Sequence, residues 1–114
     1  MKYMILTYEA EEDFEARQDT ERSGAYWSAW AAFGGALKSA GIVSDMHGLH
    51  RGETASTIRI RNGARDVATG PFAVGGTQLG GYFIIDVEGK EAATEWAAKC
   101  PAALRGAVEI RPVL

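Results

Sequence analysis

The sequence predicts an α+β fold, a mostly antiparallel sheet with helices packed on one face, and three observations predict it. The run Tyr82-Phe83-Ile84-Ile85-Asp86-Val87 has the aromatic and β-branched content of a central strand buried on both faces, closed by the turn residues Glu88-Gly89. Tyr26, Trp30, Phe33 and Leu37 fall at i, i+4, i+7 and i+11, which is one face of a helix. Between these two stretches, Asn62-Gly63 tolerates the positive φ of a type I′ turn and marks a hairpin.

Taken in order, Lys2 to Tyr8 is a first strand, with Tyr3, Ile5 and Thr7 on one face and Met4, Leu6 and Tyr8 on the other. Glu9 to Arg22 carries seven acidic residues and a single large apolar one, Phe14, and reads as a solvated loop with one helical turn. Ser23 is placed to cap the aromatic helix, and Gly41 to end it. Gly34-Gly35 weakens that helix by about 1 kcal/mol per glycine relative to alanine, which suggests a kink or a close backbone approach. Its aromatic residues read as core that covers the sheet.

Ile42 to Leu49 is a second strand, followed by a turn at Arg51-Gly52-Glu53. Ala55 to Arg61 alternates as a half-buried strand, Ile58 and Ile60 inward and Thr57, Arg59 and Arg61 outward, and Ala64 to Ala68 returns as its partner. Pro71 holds Thr69-Gly70-Pro71 as a rigid turn before the central strand. Lys90 to Lys99 places Ala92, Ala93, Trp96 and Ala97 at helical spacing, with Pro101 marking the end. Ala107 to Ile110 is a last strand, which Arg111-Pro112 either ends or confines to an edge. The order fits a ferredoxin-like antiparallel sheet with two helices on one face and an added β-hairpin. The other face then needs a cover, and a second copy related by two-fold symmetry is the economical one.

A chain of 114 residues with 46% hydrophobic and 24% charged content is expected to form one globular domain with its own core. Cys100 stands alone, so no intramolecular disulfide forms, which suits a reducing, cytoplasmic setting. The start Met1-Lys2-Tyr3-Met4-Ile5-Leu6 is too short and too soon followed by acidic residues for a signal peptide. The low-charge stretch Ala25 to Val43 keeps its bulk at helical spacing and includes Ser28 and Lys38, so no membrane span is expected. A net charge of −3 argues against a nucleic-acid partner, and Arg59, Arg61 and Arg65 read as a solvated face.

At this level of detail the chain resembles the YCII-related proteins, and within them the branch named for an Asp-Gly-Pro-Phe motif. The residues that carry the resemblance run nearly end to end: Met1-Lys2-Tyr3-Met4, Thr57 to Gly63, Gly70-Pro71-Phe72-Ala73, Gln78-Leu79-Gly80-Gly81-Tyr82, Ile85-Asp86-Val87, Trp96 to Pro101 and Gly106 to Pro112. The resemblance implies a dimeric α+β barrel, related to muconolactone-isomerase-like proteins. Some branch members look like companions of extracytoplasmic-function sigma factors, and more distant relatives are proposed to use a His-Asp pair in a barrel pocket. This chain departs from the branch at the motif itself, with Thr69 in place of the aspartate and Val74, Gly75, Gly76 and Thr77 where charges are usual. It also carries His47 where the branch usually has a carboxylate.

The two histidines, His47 and His50, are the candidate acid-base groups, because an unperturbed imidazole titrates near neutrality. Asp45, Asp66 or Asp86 can fix the tautomer of such an imidazole. On a regular strand residues 45 and 47 share a face while residue 50 points away, so a metal site of Asp45, His47 and His50 needs a bulge or turn after Gly48, and no metal or other cofactor is assigned. Thr69, Gly70, Pro71, Phe72, Gly75, Gly76 and Gln78 form a candidate pocket wall or flap over the barrel mouth. The glycines there open a strand and not a helix, unlike a phosphate loop, while Gly80-Gly81 lets two backbones approach. Cys100 reads as a small buried apolar residue. Two functions follow: a small-molecule binding protein or enzyme with a histidine in a barrel pocket, taking a small organic ligand, or a non-catalytic dimeric interaction or regulatory module.

Overall fold

The computed structural model describes residues 1–114. The chain runs β1 (Lys2–Ala10), α1 (Glu11–Ala16), α2 (Ser23–Ser39), β2 (Val43–Gly48), β3 (Ser56–Arg61), β4 (Ala64–Thr69), β5 (Thr77–Asp86), α3 (Lys90–Ala97) and β6 (Ala107–Pro112). Short 3-10 turns at Gly52–Thr54 and Pro101–Ala103 fill two of the connections. Four strands form one sheet in the order β2-β5-β1-β6, every pair antiparallel, and β3 and β4 pair only with each other. That is the ferredoxin-like plan with an inserted hairpin, and β5 is a central strand as its composition predicts.

One face of the sheet carries the core. Tyr3 and Ile5 of β1 and Phe83 and Ile85 of β5 meet Phe33 and Leu37 of α2, Ala93 of α3, and Cys100 and Ala102 just beyond it. Ile5, Leu37 and Ile85 are fully buried, and each such side chain contributes about 1.5–3 kcal/mol over an exposed one. Phe83 packs edge-on against Phe33 and lies parallel to Trp30, which orders the centre of this layer. On the other face, Met4, Leu6, Tyr8, Tyr82 and Ile84 are only half-buried, because no helix crosses it. The central strand is therefore closed on one face only within a single chain.

Three expectations need correction. The acidic stretch after β1 is not a solvated loop: α1 buries Asp13, Phe14 and Ala16, and the Arg105 Nε donates to Asp13 at 3.0 Å. Its inward positions have partners, so its charge count misleads. Ser23 does not cap α2 but begins it; the Asp19 carboxylate accepts instead from the backbone N–H groups of Glu21 and Arg22, which also holds its own pKa below the usual carboxylate value. Ile58 and Ile60 are not half-buried, since the hairpin stands off the sheet and leaves them 58% and 62% exposed.

The hairpin turn itself forms as predicted, with Asn62 and Gly63 at φ of 50° and 76°. Its base is fastened by the Gly70 N–H to the Ala55 carbonyl and by the Thr57 hydroxyl to the Gly70 carbonyl, each at 2.8 Å. A projecting arm explains a radius of gyration of 15.7 Å, against about 13 Å for a compact domain of this length. Gly41, at φ of 71°, ends α2 in the left-handed region. No helix is long and apolar enough to cross a membrane.

Burial raises the Cys100 thiol to about 12, so the folded chain keeps this proton where an unfolded one loses it. Stability falls accordingly as pH rises past about 9 toward 12. Iodoacetamide at about pH 8.5 is expected to leave the native thiol unlabelled over hours and to label it promptly in denaturant, as mass spectrometry reads directly.

Candidate functional site

The sheet places chemistry on both of its faces. On the open face, β2 lies antiparallel to β5 with Asp45 opposite Ile84 and His47 opposite Tyr82. Ser44 is an extra residue in this pairing, and the resulting bulge sets the Asp45 and His47 side chains on the same side as Tyr82. The Asp45 carboxylate then meets three groups: its Oδ1 lies 3.1 Å from His47 Nε2 and accepts from the Met46 backbone N–H at 3.0 Å, and its Oδ2 accepts from the Tyr82 hydroxyl at 2.9 Å. The hydrogen bond to Asp45 raises the Tyr82 phenol above its ordinary value. The imidazole ring lies 5.8 Å from the Tyr82 ring, and its side chain is 64% exposed.

His50 does not join this group, since it lies in the exposed loop after β2. No three His, Cys, Asp or Glu side chains converge anywhere in the chain. Asp66 sits on the hairpin opposite Arg59, and Asp86 accepts from the amino terminus at 2.8 Å, so neither reaches a histidine. Thr69 ends β4, Gly70, Pro71, Phe72, Gly75 and Gly76 lie in the connection from the hairpin to β5, and Gln78 lies in β5 opposite Glu9. There Pro71 packs on Gly52, the Gln78 amide donates to the Gly75 carbonyl, and the Arg59 guanidinium stands over the exposed Phe72 ring. Within one chain this segment covers neither the Asp45–His47–Tyr82 group nor the cleft on the other face.

That cleft lies between α2 and the strands β2 and β5, encloses about 430 Å³, and ends on a buried polar cluster. Glu9, 2% exposed, continues the inward alternation Tyr3, Ile5, Thr7 to the last turn of β1. Arg17, just past α1, donates to the Glu9 carboxylate at 2.7 Å, to the Tyr26 hydroxyl at 2.9 Å, and to the Leu49 and Gly80 carbonyls. Tyr26, from the first turns of α2, donates to the other Glu9 oxygen. Burial and the neighbouring Glu9 push its phenol well up, so it stays protonated as a donor. The Arg17 guanidinium also lies over the Phe14 ring, 4.6 Å from its centroid.

Two glycines make room for this cluster. Gly80 is the extra residue of a bulge in β5, where the register passes from Thr7–Gly81 to Tyr8–Leu79. A Cβ on Gly80 stands 1.9 Å from a Glu9 carboxylate oxygen, and one on Gly81 stands 2.9 Å from the His47 carbonyl. The expected close approach at Gly80-Gly81 is thus within the chain, between β5, β2 and the Glu9 side chain. The sequence places Tyr26 on the core stripe of α2 but gives no sign of its polar role, and Glu9 and Arg17 fall in the stretch expected to be solvated, although carrying the alternation of β1 from Thr7 two residues further places Glu9 inward.

Fold and side chains together define a small α+β protein of ferredoxin-like plan, with a hydrogen-bonded Asp-His-Tyr group on the uncovered face of its sheet. The profile of the YCII-related domain matches residues 1–114, and the chain belongs to the YCII-related family. A search of curated proteins found no match.

Gly80→Ala is expected to force Glu9 away from Arg17 and to lower the unfolding free energy by about 3 kcal/mol in urea titrations. Gly48→Ala, where a Cβ meets nothing within 4 Å, is the control and is expected to change stability by under about 1 kcal/mol.

Proposed function

We propose that the chain works as a homodimer whose two uncovered sheet faces close on each other as an α+β barrel around a site for a small organic molecule. His47 is the acid-base group of that site and Asp45 orients it. The observation that carries this reading is the Asp45 carboxylate shared between His47 and Tyr82, since an imidazole held by a carboxylate is suited to move a proton. The row of half-buried Met4, Leu6, Tyr8, Tyr82 and Ile84 beside it supports closure by a second copy, because such a face is otherwise left wet. The reaction class that suits a lone imidazole beside a carboxylate is isomerisation or elimination on a small organic acid. A second reading, a non-catalytic interaction or regulatory module, is favoured by the hairpin, where Ile58, Ile60 and Val67 share one exposed face.

Sedimentation equilibrium is expected to give twice the 12.2 kDa chain mass for the parent, and the single-chain mass for Leu6→Glu, which puts a charge in the middle of the open face. In a thermal-shift panel of small aliphatic acids, a ligand at a hundred times its dissociation constant raises the parent midpoint by roughly 10 °C. That shift is expected to vanish in both His47→Ala and Leu6→Glu. Persistence of the shift in His47→Ala removes the histidine from the site, and a monomeric parent removes the barrel.

A further inference from the structure

We propose that the cleft under α2 is a separate ligand site, built from one chain alone, which takes a flat, largely apolar molecule carrying one carboxylate. Its volume, about 430 Å³, is in the range of small-molecule sites, and it opens on the helix-covered side of the sheet, where His47 is the one lining residue it shares with the Asp45–His47–Tyr82 group.

The walls are apolar and already in place. Trp27 and Trp30 of α2, Met46 of β2 and Phe83 of β5 all line it. The Trp27 ring stands edge-on to Tyr26 at 4.8 Å, and its N–H donates to the Arg17 carbonyl. Trp30 lies parallel to Phe83. Walls fixed before a ligand arrives lose little freedom when it binds. Gly34 and Gly35 continue the same stripe of the helix, and a Cβ on Gly35 meets nothing within 4 Å. A glycine in mid-helix costs about 1 kcal/mol relative to alanine, so packing does not explain this residue, whereas an open cleft does.

Charge selects the rest of the ligand. At one end Glu9, Arg17 and Tyr26 satisfy one another, so no unpaired charge faces the cleft there. At the other end, about 16 Å along α2 from Trp27, Lys38 lines the cleft and has no carboxylate partner. An apolar body therefore lies along the tryptophans with its carboxylate toward Lys38. A lone ammonium with no helix N-terminus beside it suits a single carboxylate better than a polyphosphate.

Calorimetric titration with 2-naphthoate tests this on four proteins: the parent, Gly35→Leu, Lys38→Met and Leu6→Glu. Saturable binding is expected in the parent and equally in Leu6→Glu, because Leu6 lies on the other face of β1 from Thr7 and Glu9 and is not a lining residue of the cleft. Gly35→Leu fills the cleft and is expected to abolish binding without lowering the thermal midpoint, since leucine is the better helix former. Lys38→Met is expected to weaken 2-naphthoate about five-fold and to leave the neutral 2-naphthamide unaffected. Absence of saturable binding, or undiminished binding to Gly35→Leu, overturns the site. Equal affinity of the parent for acid and amide overturns the carboxylate. Loss of binding in Leu6→Glu alone moves the ligand to the barrel and overturns the separate cleft.

Discussion

The ion pair between Glu9 and Arg17, sealed by the Tyr26 hydroxyl, is the constraint on which the arrangement of this chain depends. A carboxylate at the end of a buried strand is costly unless it is paired and hydrogen-bonded. Here the pairing draws in four further segments. Arg17 fixes where the chain goes after α1, Tyr26 fixes the start of α2, the Gly80 carbonyl belongs to the bulge of β5, and the Leu49 carbonyl belongs to the loop after β2. Gly80 is the only residue type that fits, because a Cβ there occupies the place of the carboxylate. The cluster ties one end of the sheet to both of its first helices and makes the closed end of the cleft.

From this constraint the division of labour between the two faces follows. The covered face has its aromatic layer of Trp30, Phe33 and Phe83 beside the cluster, and the space under α2 is what remains where glycines replace side chains. The uncovered face has no helix and half-buried apolar rows, with one polar group, Asp45–His47–Tyr82, near its β2 edge. The Ser44 bulge decides which face receives that group. Without it the register slips by one residue and the histidine faces the helices.

Most of the fold was legible because periodicity and turn chemistry are local. The stripe of α2, the Asn62-Gly63 turn, the stop at Gly41 and the composition of β5 each depend on neighbours in sequence. Burial was less legible because it depends on what lies opposite. Ile58 and Ile60 alternate like a half-buried strand, yet the hairpin has nothing above it within the chain. Glu9, Asp13 and Arg17 look like parts of a solvated acidic run, yet their partners are Tyr26, Arg105 and Gly80, far along the chain. For the site, the shared face of Asp45 and His47 could be read from strand alternation. The third member, Tyr82, could not, since it enters through the register of β5 against β2. The flap residues Thr69 to Gln78 were singled out by composition, whereas the contacts of Pro71 and Gln78 with Gly52 come from a different loop and could not be read from it.

The most direct test of this account is a double-mutant cycle between Glu9 and Arg17, with Glu9→Gln, Arg17→Met and the double variant unfolded in urea. A buried pair predicts a loss of about 3 kcal/mol or more for each single variant, and a double variant whose loss falls well short of their sum. Single losses under about 1 kcal/mol that simply add would mark the pair as a surface contact and contradict the central role assigned to it.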